Sequence, residues 1–400
     1  MIKEASFRTC PICDDSTVEC LHHQKFTLPR DHPLPAQFDV VSCTQCGFAY
    51  ADTAGDENAY NRYYESYSKY IDQKNSTGGG GSSVDKERLE IMAATIAAQF
   101  PDKDALVVDI GCANGGLLHM LKGLGFTNLL GVDPSPVCVK NTQELFGIPA
   151  EQGWLGELPP AVHSAGLIVL SHVLEHVLHP RLSIEKLRDR LAPGGMIYAE
   201  TPDADRYVDC LTAPFQDFNI EHINHYGPAS LENLFEAAGF RAISVQTKFM
   251  ETAPGIPYPA VFGFFQKKDG PATAPAEWVR DETFLPHLND YIGRSREKLA
   301  ALDQQLTEAL RGPVIVWGTG QLTLKLLAET RLGQAEIAAF VDSNPCNQGK
   351  ELQGIAILPP AALRDMPAHP IIIGTMLHNK VIREQITQEL QLANPVIELA

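Results

Sequence analysis

The stretch "ALVVDIGCANGGLLHMLKGLG", followed by "NLLGVDPSP", limits the possible folds more than any other part of the chain. "ALVVDI" is an apolar run of strand length, "GCANGG" a turn, "LLHMLKGLG" a helix, and "NLLGVD" a second strand ending in an acid. Further on, "GLIVLS" and "MIYAET" are two more apolar strands, with a helical segment "RLSIEKLRDRLAPGG" between them. A helix, "VDKERLEIMAATIAAQF", precedes the set and stops before Pro101. Strands that alternate with helices build a doubly wound parallel sheet, and such sheets take ligands beyond the carboxyl ends of their strands. In that frame Gly111 and Gly115 let the backbone approach a ligand. Asp133, closing the second strand, is placed to accept both hydroxyls of a ribose. The turn reads G-C-A-N-G-G, which is not the G-x-G-x-x-G dinucleotide fingerprint, and it carries no Walker lysine.

The chain has 400 residues, 44% of them hydrophobic, enough for two or three domains. Two low-complexity breaks divide it: "NSTGGGGSS" (Asn75–Ser83) and the Pro/Ala-rich "KKDGPATAPAEW" (Lys267–Trp278). The expected domains are therefore 1–74, 84–268 and 280–400. No run approaches the roughly 18–20 apolar residues of a membrane span. The first residues, "MIKEASFRTCPICDD", have no apolar signal region, and the nine cysteines are an odd number. A cytoplasmic protein with reduced thiols and no membrane association is expected. The net charge of −17 repels phosphate backbones, so nucleic acid is not expected as a partner. A small anionic ligand needs only a local patch and stays open. A monomer or homodimer is expected.

The first part is rich in Cys, His and Tyr and has little apolar periodicity. "CPIC" supplies Cys10 and Cys13, and "CTQC" supplies Cys43 and Cys46. Two such pairs close a tetrahedral zinc site, and a segment this poor in apolar residues depends on metal to fold. A redox pair fits less well, because neither C-x-x-C opens a helix after a strand. Cys20, His22 and His23 are alternative ligands. Next, Tyr60, Tyr63, Tyr64, Tyr67 and Tyr70 follow helical spacing, which suits an amphipathic helix packed on the next domain or an aromatic lid. The last part has a long helical pattern from about Phe284 to Leu310. Then come the strands "PVIVW", "IAAFV" and "IIIGT", with "GTGQLTLK" after the first. Gly318, Gly320 and Asp342 invite a dinucleotide reading, but Thr323 stands where the third glycine belongs.

"FQDFNIEHINHYGP" gathers Asp217, Asn219, Glu221, His222, His225 and Tyr226 just before the helix "ASLENLFEAAG". A metal site built on His222 and His225 is incomplete, because two imidazoles three apart are only part of a ligand set. A histidine titrating near neutrality makes His222 a candidate base; a satisfied loop histidine is the competing reading. "HVLEH" (His172–His176) fits the H-x-x-E-H metalloprotease pattern, which needs an exposed helical face; following "GLIVL" directly, it does not suit one.

With these motifs in order, the central part resembles the class I S-adenosylmethionine-dependent methyltransferases. The resemblance implies that Asp109, Gly111 and Gly115 line the methionine portion and that Asp133 binds the ribose. Gly153 and Trp154 would lie near the adenine, and Ser171 and His172 beside the sulfonium. The whole order is a four-cysteine module, a tyrosine-rich helix, a methyltransferase core and a Rossmann-like C-terminal unit containing "VDSNPCNQGKELQGIAI". It resembles the three-domain C-methyltransferases of nucleotide-linked deoxysugars in antibiotic biosynthesis. That family carries a Tyr-x-Glu-His run. Glu221 and His222 match it and Asn219 departs from it. The resemblance implies a keto-sugar acceptor, with His222 as the base that generates an enolate. Glu221 would orient His222, Asn219 or Tyr226 would hold the enolate oxygen, and His225 would contact the substrate. Asn219 keeps O- or N-methylation of a sugar or another small metabolite open. S-adenosylmethionine and a structural zinc are the implied cofactors.

Overall fold

The computed structural model describes residues 2–66, 79–270, 272, 275 and 277–400. Tyr67 and Tyr70, residues 75–78 of the first break, and residues 271, 273, 274 and 276 of the second lie outside the described residues. The fold is mixed α/β. Contacts divide the chain into two compact units. The first is Met1–Leu21, Val40–Cys210 and Glu221–Leu288; the second is His22–Asp39, Leu211–Ile220 and Asn289–Ala400.

The N-terminal strands are β1 (Ile2–Glu4), β2 (Thr17–Lys25), β3 (Gln37–Cys43) and β4 (Ala49–Asp52). Helix α1 (Glu57–Ser66) follows, then α2 (Ser83–Gln99), which Ser82 opens by accepting the Asp85 N–H at 3.1 Å. The central strands are β5 (Val107–Ile110), β6 (Leu129–Asp133), β7 (Ala150–Gln152), β8 (Ala165–Ser171) and β9 (Leu191–Pro202). A two-residue β10 (Asn224–His225) precedes the hairpin β11 (Phe240–Ala253) and β12 (Ile256–Lys267). Among the described residues the central sheet runs β11-β12-β9-β8-β5-β6-β7, and β10 closes the N-terminal sheet by pairing with β4. Strands β9, β8, β5, β6 and β7 are parallel, and the hairpin adds two antiparallel strands at one edge. Strands β5 and β8 are buried on both faces, which is why they read as unbroken apolar runs.

One helix differs from expectation. The helix at Pro180–Leu187 stops before "LAPGG", which opens β9 instead. Pro193 cannot donate to a helix, and Gly194 holds a left-handed φ of 73°, so these residues favour the turn into the strand. The four-cysteine segment and the methyltransferase-like sheet were expected as separate domains. They share a continuous apolar cluster that includes Ile12, Phe48, Val108, Ile168, Phe235 and Phe265.

The second unit carries β13 (Val314–Trp317), β14 (Ile337–Val341), β15 (Glu351–Leu352), β16 (Ile355–Leu358), β17 (Ile371–Ile373) and β18 (Val396–Glu398). Their order is β15-β16-β14-β13-β17-β18, parallel except for β15–β16. At the end of β14, the Asp342 carboxylate accepts the Thr319 N–H (2.9 Å), the Thr319 hydroxyl (2.5 Å), the Asn344 N–H (2.8 Å) and the Asn347 side-chain amide (3.0 Å). Thr323, in the place of a third glycine, donates to the Gly318 carbonyl at 2.7 Å. Among the described residues, no helix is long and apolar enough to cross a membrane.

Within the first unit, the Arg8 guanidinium is buried and donates to backbone carbonyls of Ala51 (2.9 Å), Ile223 (3.3 Å) and Leu178 (2.7 Å), and to Asn224 Oδ1 (3.2 Å). Removing it leaves several buried acceptors unmet, each costing about 1–3 kcal/mol. Arg8→Met, which keeps the apolar stem, should therefore destabilise the first unit by about 3 kcal/mol. Urea denaturation followed by circular dichroism checks this; an unchanged midpoint contradicts it.

Candidate active site

Parallel pairing sets Asp109 beside Gly131 and Val169, so the carboxyl ends of β5, β6 and β8 lie level. The chain crosses from one side of β5 to the other between β7 and β8, which makes this the topological switch point where such sheets take ligands. Asp109, Gly111, Asp133, Gly153, Trp154, Ser171 and His172 all stand at or just beyond these ends.

Backbone and packing both require the glycines of this loop. Gly111 and Gly115 both hold a φ of 79°, which favours glycine. A Cβ at Gly111 would meet Val173 Cγ2 at 2.7 Å, and one at Gly115 would meet the Thr142 side chain at 2.7 Å. At both positions the missing Cβ makes room for a neighbouring side chain. Asp133 closes the loop: one oxygen accepts the Ala113 N–H and the other the Ser135 N–H, both at 2.9 Å. Burial raises its carboxyl to about 6. Asp109 is buried as well, and burial together with the Asp133 charge raises it to about 7. Asn114 and Asn141, which sequence reasoning did not single out, are joined by a 2.8 Å hydrogen bond at the same loop. Trp154 pairs through its backbone with Glu157.

His172 adopts a positive φ of 55° at the end of β8, and its N–H donates to the Glu200 carbonyl. Its Nδ1 donates to Glu175 at 3.2 Å, and its Nε2 stands 3.6 Å from Glu200. Burial alone would lower the imidazole pKa; the two carboxylates outweigh it and raise it above its ordinary value. Glu200 is fully buried and also receives the Tyr198 hydroxyl and, at 2.7 Å, Lys248. Burial would raise Glu200, but His172 and Lys248 bring it down to about 2.

The sequence segment around His222 crosses the boundary between the two compact units. Asn219 belongs to the second compact unit, whereas Glu221, His222 and His225 belong to the first. His225 is fully buried, its Nδ1 is 3.5 Å from the Tyr207 hydroxyl, and burial lowers it to about 3. His222 stacks edge-on against His176, with ring centroids 4.9 Å apart. The His176 Nδ1 donates to the Glu221 carbonyl at 3.0 Å, and the Ile223 N–H donates to the Glu175 carbonyl at 2.8 Å. Tyr64 of α1 presents its ring to His176 at 5.7 Å, so one tyrosine of the helix reaches this cluster while Tyr60 and Tyr63 pack inward. In "HVLEH", residues Leu174–His176 form a single 3₁₀ turn, so the helical face a metalloprotease needs is not made.

Cys10 and Cys46 sulfurs are 3.5 Å apart, as are those of Cys13 and Cys43, and all four lie within 4.8 Å of one another. Zinc–thiolate bonds of about 2.3 Å imply sulfur separations of about 3.8 Å, so the cluster fits that ion. His22 instead pairs with Gln24 at 2.9 Å and stacks on Phe215, and His23 pairs with Asp39 at 2.6 Å.

Comparison with known proteins fits the fold. Residues 84–245 match the family model described as a methyltransferase domain, and residues 311–397 match the C2185-like, N-terminal family. The tRNA U34 carboxymethyltransferase of Cellvibrio japonicus (strain Ueda107) is 31% identical over 106 residues, 25% of this chain and 33% of that protein. The same-named protein of Hahella chejuensis (strain KCTC 2396) is 33% identical over 110 residues, again 25% of this chain and 33% of its own length. The chain thus spans about a third of the length of these curated relatives. Among solved structures, magnesium protoporphyrin IX methyltransferase from Synechocystis PCC 6803 aligns with a TM-score of 0.41 and 15% identity, covering 53% of this chain and all of that one. The chain contains a class I S-adenosylmethionine-dependent methyltransferase domain.

The relatives' names overturn two expectations. The keto-sugar acceptor, with its His222 enolate step and its place in antibiotic biosynthesis, does not stand beside curated relatives named for tRNA, and neither does the small-metabolite alternative. The exclusion of nucleic acid fails for the same reason. It rested on a net charge of −17, a sum over the whole chain that says nothing about the charge at one surface.

The Asp133 carboxyl yields a sign-specific prediction for S-adenosylmethionine. The ionised form is the better acceptor for two ribose hydroxyls, and in the folded protein it is lost as pH falls through about 6. Affinity measured by calorimetry should weaken about tenfold between pH 7.5 and pH 5. In Asp133→Asn the affinity should be lower at pH 7.5 and fall less on acidification, the remaining dependence belonging to Asp109; a wild type with flat affinity contradicts the assignment.

Proposed function

We propose that this protein is an S-adenosylmethionine-dependent transferase that modifies a uridine base of transfer RNA. The observation that carries the donor half is the loop of Gly111 to Gly115 tied to Asp133 at the switch point of the sheet. The sulfonium donor supplies an activated one-carbon group when bound. Asp133 holds the ribose, and Asp109 lies where its carboxylate meets the positively charged methionine end. Gly153 and Trp154 flank the adenine, and Ser171 and His172 stand on the side from which the acceptor approaches. Support for the acceptor half is the shared segment with the tRNA U34 carboxymethyltransferases. Such an acceptor places the reaction in the cytoplasm.

On the acceptor side the residues are Glu221 and His222, with His176 and Tyr64 beside them. Their work is to position the base and to take up the proton that the acceptor atom loses as it is alkylated. Cys10, Cys13, Cys43 and Cys46 hold a structural zinc that fixes the N-terminal sheet. Chelation should therefore release about one zinc per chain and melt that sheet, observed as loss of strand signal in circular dichroism. Release without change in the spectrum would argue against a structural role.

The direct test is incubation with unmodified tRNA and methyl-labelled S-adenosylmethionine, then digestion to nucleosides. Label in a uridine derivative is expected. His222→Ala should bind S-adenosylmethionine as the wild type does and transfer roughly 100-fold more slowly. Tight donor binding with no labelled tRNA would remove the acceptor assignment and leave the donor site standing.

A further inference from the structure

We infer that Glu175, His176 and His222 form a binding site for a divalent transition-metal ion at the acceptor end of the methyltransferase domain, separate from the four-cysteine cluster. The inference rests on the geometry of that domain and holds whatever the acceptor is.

One carboxylate oxygen, one nitrogen of His176 and one of His222 lie within 4.8 Å of each other. Zinc bonds of about 2.1 Å would set such atoms about 3.4 Å apart, a closure within reach of small rotations of two half-buried imidazoles. Glu175 supplies the independent indication of a ligand. It is 1% exposed; one oxygen accepts from His172 Nδ1 at 3.2 Å, and the other, Oε2, has no hydrogen-bond partner among the described residues. A buried carboxylate oxygen left unmet is costly, and a cation would meet it.

The neighbouring groups are arranged as the surroundings of a metal site usually are. His176 Nδ1 faces a carbonyl, which only accepts, so Nδ1 carries the proton and Nε2 presents its lone pair. That is the standard means of fixing the orientation of a metal-binding imidazole. His172 plays the equivalent part for the Glu175 carboxylate. An ion pair between Glu175 and a protonated His176 is the alternative account. The separation of 3.9 Å is too long for a hydrogen bond, and such a pair leaves Oε2 unmet.

Two imidazoles and one carboxylate select zinc, manganese, iron, cobalt or nickel over magnesium and calcium, which prefer all-oxygen sites. Three protein ligands leave a coordination position open for water or an acceptor oxygen. The sequence motif "HVLEH" therefore contributes a carboxylate and an imidazole after all, though from a 3₁₀ turn and with His222 as the third ligand.

The test is cobalt(II) loading of the metal-stripped full-length protein, followed by absorption. A four-cysteine site gives intense thiolate charge-transfer bands; the Glu–His–His site gives weak visible bands without them. Wild type should take up about two equivalents and show both signatures. Glu175→Gln and His222→Asn should each lose the weak bands and one equivalent while keeping the thiolate bands. S-adenosylhomocysteine binding by calorimetry reports separately that each variant retains its donor site. His222, being half-buried, keeps the comparison decisive should Glu175→Gln misfold. Thiolate bands alone in the wild type, or weak bands that persist in His222→Asn, overturn the proposal.

Discussion

The buried guanidinium of Arg8 joins three segments that are far apart in the sequence, and the cluster of Glu175, His176 and His222 depends on that junction. Its backbone N–H donates to Asp52 at 2.9 Å, which ties it to the end of β4. Its side chain meets carbonyls in the N-terminal sheet, in the turn after β8 and in the strand that follows His222. Asn224 completes the junction by donating to Leu174 (2.8 Å) and Val177 (2.7 Å). Cys10 lies two residues beyond Arg8, so whatever fixes the four-cysteine turn also fixes the guanidinium. The N-terminal module is therefore part of the frame of that cluster, and a structural zinc there would act on the position of Glu175, His176 and His222 from a distance.

The donor and acceptor sides are linked through charge as well as through backbone. His172 stands between Glu175 and Glu200, and Glu200 in turn holds Lys248 from β11. The chain of alternating signs keeps Glu200 ionised although it is fully buried, and it keeps the His172 ring from rotating. The hairpin β11–β12 thus bears on the site through one lysine. Burying charges without such compensation shifts the group toward its neutral form, as at Asp109, where the Arg88 charge offsets only part of the burial.

The fold was largely legible because its strands are apolar runs with helices between them, and the proposed donor residues are those at the ends of these runs. "LAPGG" was misread because a helical pattern runs into it and only the Pro–Gly break separates them. The four cysteines were legible from spacing alone. Arg8 and Asn224 were not, because their partners lie up to 216 residues away and nothing local marks a buried arginine. Glu175 and His176 were visible within "HVLEH", but the pattern was weighed as a helix and set aside, whereas the chain makes a single turn there. His222 and His225 look equivalent in sequence. His225 lies in β10 and is fully buried, whereas His222 lies before the strand, less buried and against His176. Net charge misled about the partner because it carries no position.

The two Rossmann-like units use the same device and finish it differently. Each places an acid at the end of its second strand and lets that acid accept an N–H from the preceding glycine-rich loop: Ala113 to Asp133, and Thr319 to Asp342. A carboxylate has about four acceptor positions. Asp133 gives one to each of two backbone N–H groups, with the Cys138 thiol as a weak further donor, so capacity for ribose hydroxyls remains. Asp342 receives four donors: the Thr319 N–H, the Thr319 hydroxyl and the Asn347 amide on one oxygen, and the Asn344 N–H on the other, which leaves it less room than Asp133 has. Thr323 also fills the space in front of Gly374, where a Cβ would meet its hydroxyl at 2.0 Å. The same secondary-structure order therefore gives an acid with room for a nucleoside in one unit and a more crowded one in the other, and the difference is made by the side chains of Thr319, Thr323 and Asn347 rather than by the strands.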